Sequence, residues 1–260
     1  MRLILFGLGF MWMKSTKLQI RDVFADYEPV QDTTIAPMVV SNHVSFADMF
    51  FFLSKNVSFL SKEAVAHIPL IGWHCTARQS IYLNREDNKD RDKVLENIRK
   101  RCERVRQHGD VAPLMIFPEG TVTNGRTLMS FKKGPFVNGD PIKIYVVKYN
   151  TDSQMAASII NINPLFAFII NVTQFWNTLE LMEYEDHFDP EWVYKKYGLK
   201  KEDPHAWEKV ASETKKLMQF ISGYGSTEDS YRETLEFEEK SLELGGKARS
   251  TRSSRNSKNE

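Results

Sequence analysis

Between residues 37 and 149, short apolar runs rich in β-branched residues alternate with stretches of helical period, and that alternation restricts the fold more than any other feature. Pro37-Met38-Val39-Val40, Val57 to Leu60, Ala112 to Phe117 and Ile142 to Tyr149 read as strands. After the first strand, Asn42 or Ser45 can cap a short helix with Asp48 in its positive first turn and Met49 to Leu53 as its apolar body. Glu86 to His108 is the clearest helix: Val94, Leu95, Ile98, Cys102 and Val105 form one stripe. Acids crowd its start, bases crowd its end, and Gly109 stops it. The predicted fold is a single α/β domain whose mixed, mostly parallel central sheet is flanked by helices. A chain of 260 residues with 42% hydrophobic content can bury the core that such a domain needs.

A net charge of +1 supplies no general attraction to nucleic acid, and neither a zinc-finger nor a helix-turn-helix signature occurs, so no nucleic-acid partner is expected. Two cysteines, Cys75 and Cys102, are too few for a disulfide framework. At the N-terminus, Leu3 to Met13 is apolar between Arg2 and Lys14, too short for the roughly 20 residues of a membrane span. It reads as an interfacial helix, a buried helix or the end of something longer; no small-residue cleavage site supports a signal peptide. Ser153 to Leu179 carries no charge, but Asn161, Asn163, Pro164 and Asn171 interrupt it, leaving membrane face and protein core both open. Asp203-Pro204 opens a helix with a stripe of Trp207, Val210, Thr214, Leu217 and Ile221, stopped by Gly223. The resulting division is a membrane-interface segment over 1–17, the globular domain over 18–225, a charged helix over 226–244 and a disordered basic tail over 245–260.

His43 and Asp48 lie five residues apart, which on a regular helix separates them by about 140°. They meet only if His43 sits on the turn before the helix. The carboxylate then fixes one imidazole nitrogen and leaves the other to take a proton from an alcohol. A pair like this taken alone is more often a satisfied core histidine. Phe117-Pro118-Glu119-Gly120-Thr121 leaves a buried strand at its C-terminal end, where open α/β sheets hold ligands. His67, His74, His108, His187 and His205 show no metal-site spacing, so no metal is expected. Without a Gly-x-Ser-x-Gly elbow, Ser45 reads as a cap or hydrogen-bond partner rather than a nucleophile.

The string Ser41-Asn42-His43-Val44-Ser45-Phe46-Ala47-Asp48, followed by Phe117-Pro118-Glu119-Gly120-Thr121, resembles the two hallmark motifs of the glycerolipid acyltransferase family. Phe59 to Lys62, Ile68 to Gly72, Ile81 to Arg85 and Phe131 to Gly134 follow in that family's order, and the wording is most similar to its lysophosphatidylcholine and lysophosphatidylethanolamine acyltransferase branch. The resemblance implies His43 as general base and Asp48 as its orienter. It places Glu119, Gly120 and Thr121 at the acceptor pocket, with Asn42 and Ser45 beside them. Arg85 matches a phosphate-contacting arginine, and Lys132 and Lys62 are further candidates for phosphate. Acyl-CoA would be a co-substrate with no resident cofactor, a lysophospholipid the acceptor, and an intracellular membrane, the endoplasmic reticulum with the site facing the cytosol, the location. The rival is a catalytically silent lipid-binding or scaffold protein of the same fold. The intact set of His43, Asp48, Glu119 and Arg85 argues against it, since a binding module has no use for a tautomer-fixed base.

Overall fold

The computed structural model describes residues 10–28, 35–45, 47–68, 71–83, 90–149 and 177–228. Its frame is a seven-stranded sheet built from β1 (Phe10–Leu18), β2 (Met38–Ser41), β3 (Ser58–Lys62), β4 (Ile81–Leu83), β5 (Leu114–Ile116), β7 (Ile142–Tyr149) and β8 (Asn177–Tyr184), in the order β1-β8-β7-β2-β5-β3-β4. Every neighbouring pair is parallel except β7 with β8. A two-stranded parallel ribbon joins β6 (Thr127–Leu128) to β9 (Gly225–Ser226).

Side chains alternate across each strand, so every strand feeds two cores. Met38 and Val40, Leu114 and Ile116, and Ile142, Ile144 and Val146 face α3 (Asp90–His108), α4 (Pro190–Tyr197) and α5 (Ala206–Ser222), which bring Ile98, Cys102, Val193, Val210 and Leu217. Val39, Met115, Tyr145, Val147 and Tyr149 face the other way, toward α1 (Ala47–Phe52) with Phe50, Phe51 and Phe52 and toward Cys75 of α2 (Ile71–Ala77). Burial on both faces explains why the strands read as unbroken apolar runs. Each large side chain fully buried there, such as Phe52 or Phe59, contributes about 1.5–3 kcal/mol.

The helix stripes read from the sequence hold: Ile98, Cys102 and Val105 of α3 are buried, and so are Val210, Thr214 and Leu217 of α5. The N-terminal run differs. Phe10 to Met13 belong to β1, paired in parallel with β8, so this part of the apolar run is strand and not helix, and a domain boundary between 17 and 18 would fall inside a strand. Lys14 pairs with Glu180 at 2.9 Å and Thr16 donates to the same carboxylate at 2.7 Å, which anchors the polar half of β1 to the sheet. Residues 1–9 lie outside the described residues, as do 153–176 of the charge-free stretch, whose end, Asn177 to Leu179, begins β8. The expected helix over 226–244 begins in β9, and its residues from 229 onward, together with the tail, also lie outside. Among the described residues no helix is long and apolar enough to cross a membrane. α4 was not read from the sequence, although its signals are present: Asp189 accepts from Glu191 N at 3.0 Å as N-cap, Pro190 follows, and Gly198 closes it at φ 65°.

Candidate active site

The parallel strands β2 and β5 are neighbours and end at the same edge of the sheet, so the segments that leave them emerge side by side. Beyond Ser41 the chain leaves the sheet through Asn42, whose side-chain amide accepts from Val147 N and donates to Val147 O, both at 2.8 Å. Asn42 thereby acts as a short strand-like plug against β7. It is fully buried, and its side chain anchors the turn to β7.

Asp48, in the first turn of α1, is also fully buried. Its Oδ2 accepts from Val44 N at 2.8 Å and Ser45 N at 3.0 Å, and lies 2.8 Å from Nδ1 of His43. Its Oδ1 accepts from the hydroxyl of Tyr149. His43 therefore sits on the turn before the helix, as the pairing requires, and a carboxylate on Nδ1 assigns the proton to that nitrogen and the lone pair to Nε2. The imidazole stacks on Phe117, with centroids 4.1 Å apart and 10° between planes, while its side chain keeps 17% of its surface exposed beside a wholly enclosed carboxylate. Ser45 is buried at the start of the helix, its hydroxyl accepting from Ala47 N at 3.2 Å, in keeping with the cap read from the sequence.

The second motif turns out of β5 at once. Gly120 N donates to Phe117 O at 3.0 Å, and Gly120 adopts φ 71°, a conformation that strains any side chain. A Cβ at this position would lie 2.5 Å from Nζ of Lys132, so the absence of a side chain also lets that lysine lie against the turn. Two contacts lace this motif to the first: Thr123 N donates to His43 O at 2.7 Å, and His43 N donates to Oε1 of Glu119 at 3.3 Å. The other oxygen of Glu119 accepts from Met129 N at 2.9 Å. Glu119 is fully buried with both oxygens engaged by backbone, so it braces the turn that carries His43.

That position raises the Glu119 carboxyl from 4.5 to about 7, chiefly because burial disfavours its charge; the Met129 and His43 amides and Lys215 oppose the rise, and Asp48 adds to it. A carboxyl held up in the folded state stabilises it fully below its unfolded value and loses that contribution as pH rises through about 7. Wild-type stability from urea denaturation is therefore expected to fall by up to about 3 kcal/mol more than that of Glu119→Gln between about pH 5 and about pH 8. Parallel pH profiles for the two proteins would show that Glu119 is not the titrating group.

Lys62 is exposed at the end of β3, on the same edge of the sheet, and Thr121 is half-buried just beyond Gly120. Arg85, two residues past β4, lies outside the described residues. Thr123 and Tyr149 were not picked out from the sequence. For Tyr149 the available signal was its register: it shares a strand face with Tyr145 and Val147, the face that α1 covers.

Residues 27–147 match the family model described as Acyltransferase. Lysophospholipid acyltransferase LPEAT2 of Arabidopsis thaliana is 33% identical over 183 residues, 69% of this chain and 31% of that protein. Lysophospholipid acyltransferase LPCAT4 of Xenopus tropicalis is 29% identical over 219 residues, 84% of this chain and 38% of that one. The chain thus spans about a third of the length of these curated relatives. The crystal structure of the 1-acyl-sn-glycerophosphate acyltransferase PlsC from Thermotoga maritima superposes with a TM-score of 0.51 over 81% of this chain and 71% of that one, at 16% identity, which shows a shared fold. The matched region contains both motifs that meet at the sheet edge, and the chain belongs to the acyltransferase family, in the branch of the lysophospholipid acyltransferases.

Proposed function

We propose that this protein is an acyl-CoA-dependent acyltransferase that esterifies the free hydroxyl of a lysophospholipid. The observation that carries the reading is the His43–Asp48 pair: a buried carboxylate holds Nδ1 at 2.8 Å, leaving Nε2 of a partly exposed imidazole as proton acceptor. The acceptor hydroxyl attacks the thioester carbonyl as Nε2 removes its proton; the carbonyl re-forms with loss of the coenzyme A thiolate, and the imidazolium returns a proton to it. No covalent acyl-enzyme is needed, since a thiolate leaves readily. Catalysis rests on holding hydroxyl and carbonyl at reacting distance and on the carboxylate that stabilises the imidazolium as it forms.

In this reading Arg85, Lys132 and Lys62 are the cations for the phosphates of acceptor and donor, Arg85 with the two-pronged geometry that suits phosphate oxygens. Gly120 and Thr121 form the acceptor side of the site, and Glu119 braces the turn that carries the base. The lipid acceptor implies work at a phospholipid membrane, which we place at the endoplasmic reticulum with the site facing the cytosol. The test is a screen of lysophospholipid head groups with a long-chain acyl-CoA, following free thiol and diacyl product together. Thiol release that depends on one class of lysolipid is the expected result. Release equal with and without acceptor would reduce the activity to thioester hydrolysis, and no release with any head group would reject the reading.

A further inference from the structure

We propose that Tyr149 is a positioning residue for the His43–Asp48 pair, its hydroxyl locking the second oxygen of the Asp48 carboxylate so that the first stays aligned with the imidazole. The inference rests on the general-base reading of His43. β7 carries Tyr149 at its last position, on the face covered by α1, and β7 runs parallel to β2, so the tyrosine reaches Asp48 from the strand next to the one that delivers His43. Oδ2 of Asp48 already serves three donors, Nδ1 of His43 and the amides of Val44 and Ser45. A carboxylate held through one oxygen can still pivot about its last bond, whereas a donor on Oδ1 fixes its plane.

Tyr149 is suited to that task. It is buried, and burial together with the Asp48 charge pushes its phenol well above the ordinary value, so it remains a donor at every working pH. Among the described residues, the charged and titratable groups around Asp48 are His43 on the turn before α1, Tyr149 on β7, Glu119 on the turn after β5, and Tyr224 between α5 and β9, whose hydroxyl donates to Val147 O at 3.4 Å. By accepting charge from Oδ1, Tyr149 also moderates how strongly Oδ2 draws on the Nδ1 proton.

Tyr149→Phe removes one oxygen and leaves the ring. A matched control is Tyr184→Phe: Tyr184 is equally buried, but its hydroxyl donates to Leu217 O at 2.8 Å on the opposite face of the sheet. With acyl-CoA and lysolipid, Tyr149→Phe is expected to lower kcat about tenfold with little change in either KM, while Tyr184→Phe leaves kcat within about twofold. In protein labelled with 15N-histidine, the Nδ1 proton resonance of His43 is expected to move in Tyr149→Phe, to move in the opposite sense with 3-fluorotyrosine at position 149, a stronger donor, and not to move in Tyr184→Phe. A resonance unmoved by both changes at position 149, or one that moves while kcat holds, overturns the proposal. If Tyr149→Phe fails to fold, the fluorotyrosine protein alone decides by the same two readings. The resonance is measured without turnover, so a protein that transfers no acyl group would remove the proposed function and still leave the Tyr149 contact to be judged.

Discussion

His43→Ala is expected to lower acyl transfer by about 10²–10⁴-fold while leaving the fold in place, the usual effect of removing a general base. The size follows from the single nitrogen that the site leaves for a substrate: Nδ1 is held by Asp48, so only Nε2 can take the proton. The fold should survive because the Asp48 carboxylate keeps Val44 N, Ser45 N and the Tyr149 hydroxyl as donors once the imidazole is gone. What the variant loses is the stack on Phe117 and some half-buried area. Turnover at saturating acyl-CoA and lysolipid, read beside a thermal melt, checks both halves. Turnover within about threefold of wild type would remove His43 from the mechanism, because no base substitution of the expected kind is so mild.

Asp48 should show an equally large effect, divided differently between two replacements. Asp48→Asn keeps the shape: the amide oxygen can accept from the two backbone N–H groups and from Nδ1, and the amide nitrogen can donate to the Tyr149 oxygen. The charge is lost, and with it the stabilisation of the imidazolium, so kcat is expected to fall by about 10²-fold or more with modest loss of stability. Asp48→Ala loses the charge and also strands the amides of Val44 and Ser45 and the Tyr149 hydroxyl in a buried place. Each stranded donor costs about 1–3 kcal/mol, so urea denaturation should show a loss of about 3 kcal/mol or more. Asp48→Asn with near wild-type kcat would show that orientation alone, without charge, suffices for the base.

Strands β2, β3, β5 and β7 and helices α1 and α3 were legible because burial on both sides writes strands as apolar runs and one-sided burial writes helices as stripes, and both patterns are local; the short β4, β6 and α2 were not read. The same holds for the contact of His43 with Asp48, since the two are five residues apart and one turn joins them. Even the edge of the sheet on which the site lies followed from a motif placed at the end of a strand. The sequence could not say which way the polar groups of the two motifs point. The resemblance put Asn42, Ser45 and Glu119 at the acceptor pocket, and the fold adds that each is buried and bonded to backbone: Asn42 to Val147, Ser45 to Ala47, Glu119 to His43 and Met129. Tyr149 looked like the end of a strand and joins the site from about a hundred residues away. The N-terminal apolar run read as an interfacial helix, a buried helix or the end of something longer, and Phe10 to Leu18 form a strand because β8 offers an edge to pair with. These outcomes share one cause. A buried polar group takes whichever partner the packed chain brings within about 3 Å, and a strand forms where a neighbour supplies its hydrogen bonds; both partners are distant in sequence, so only the tertiary structure decides them.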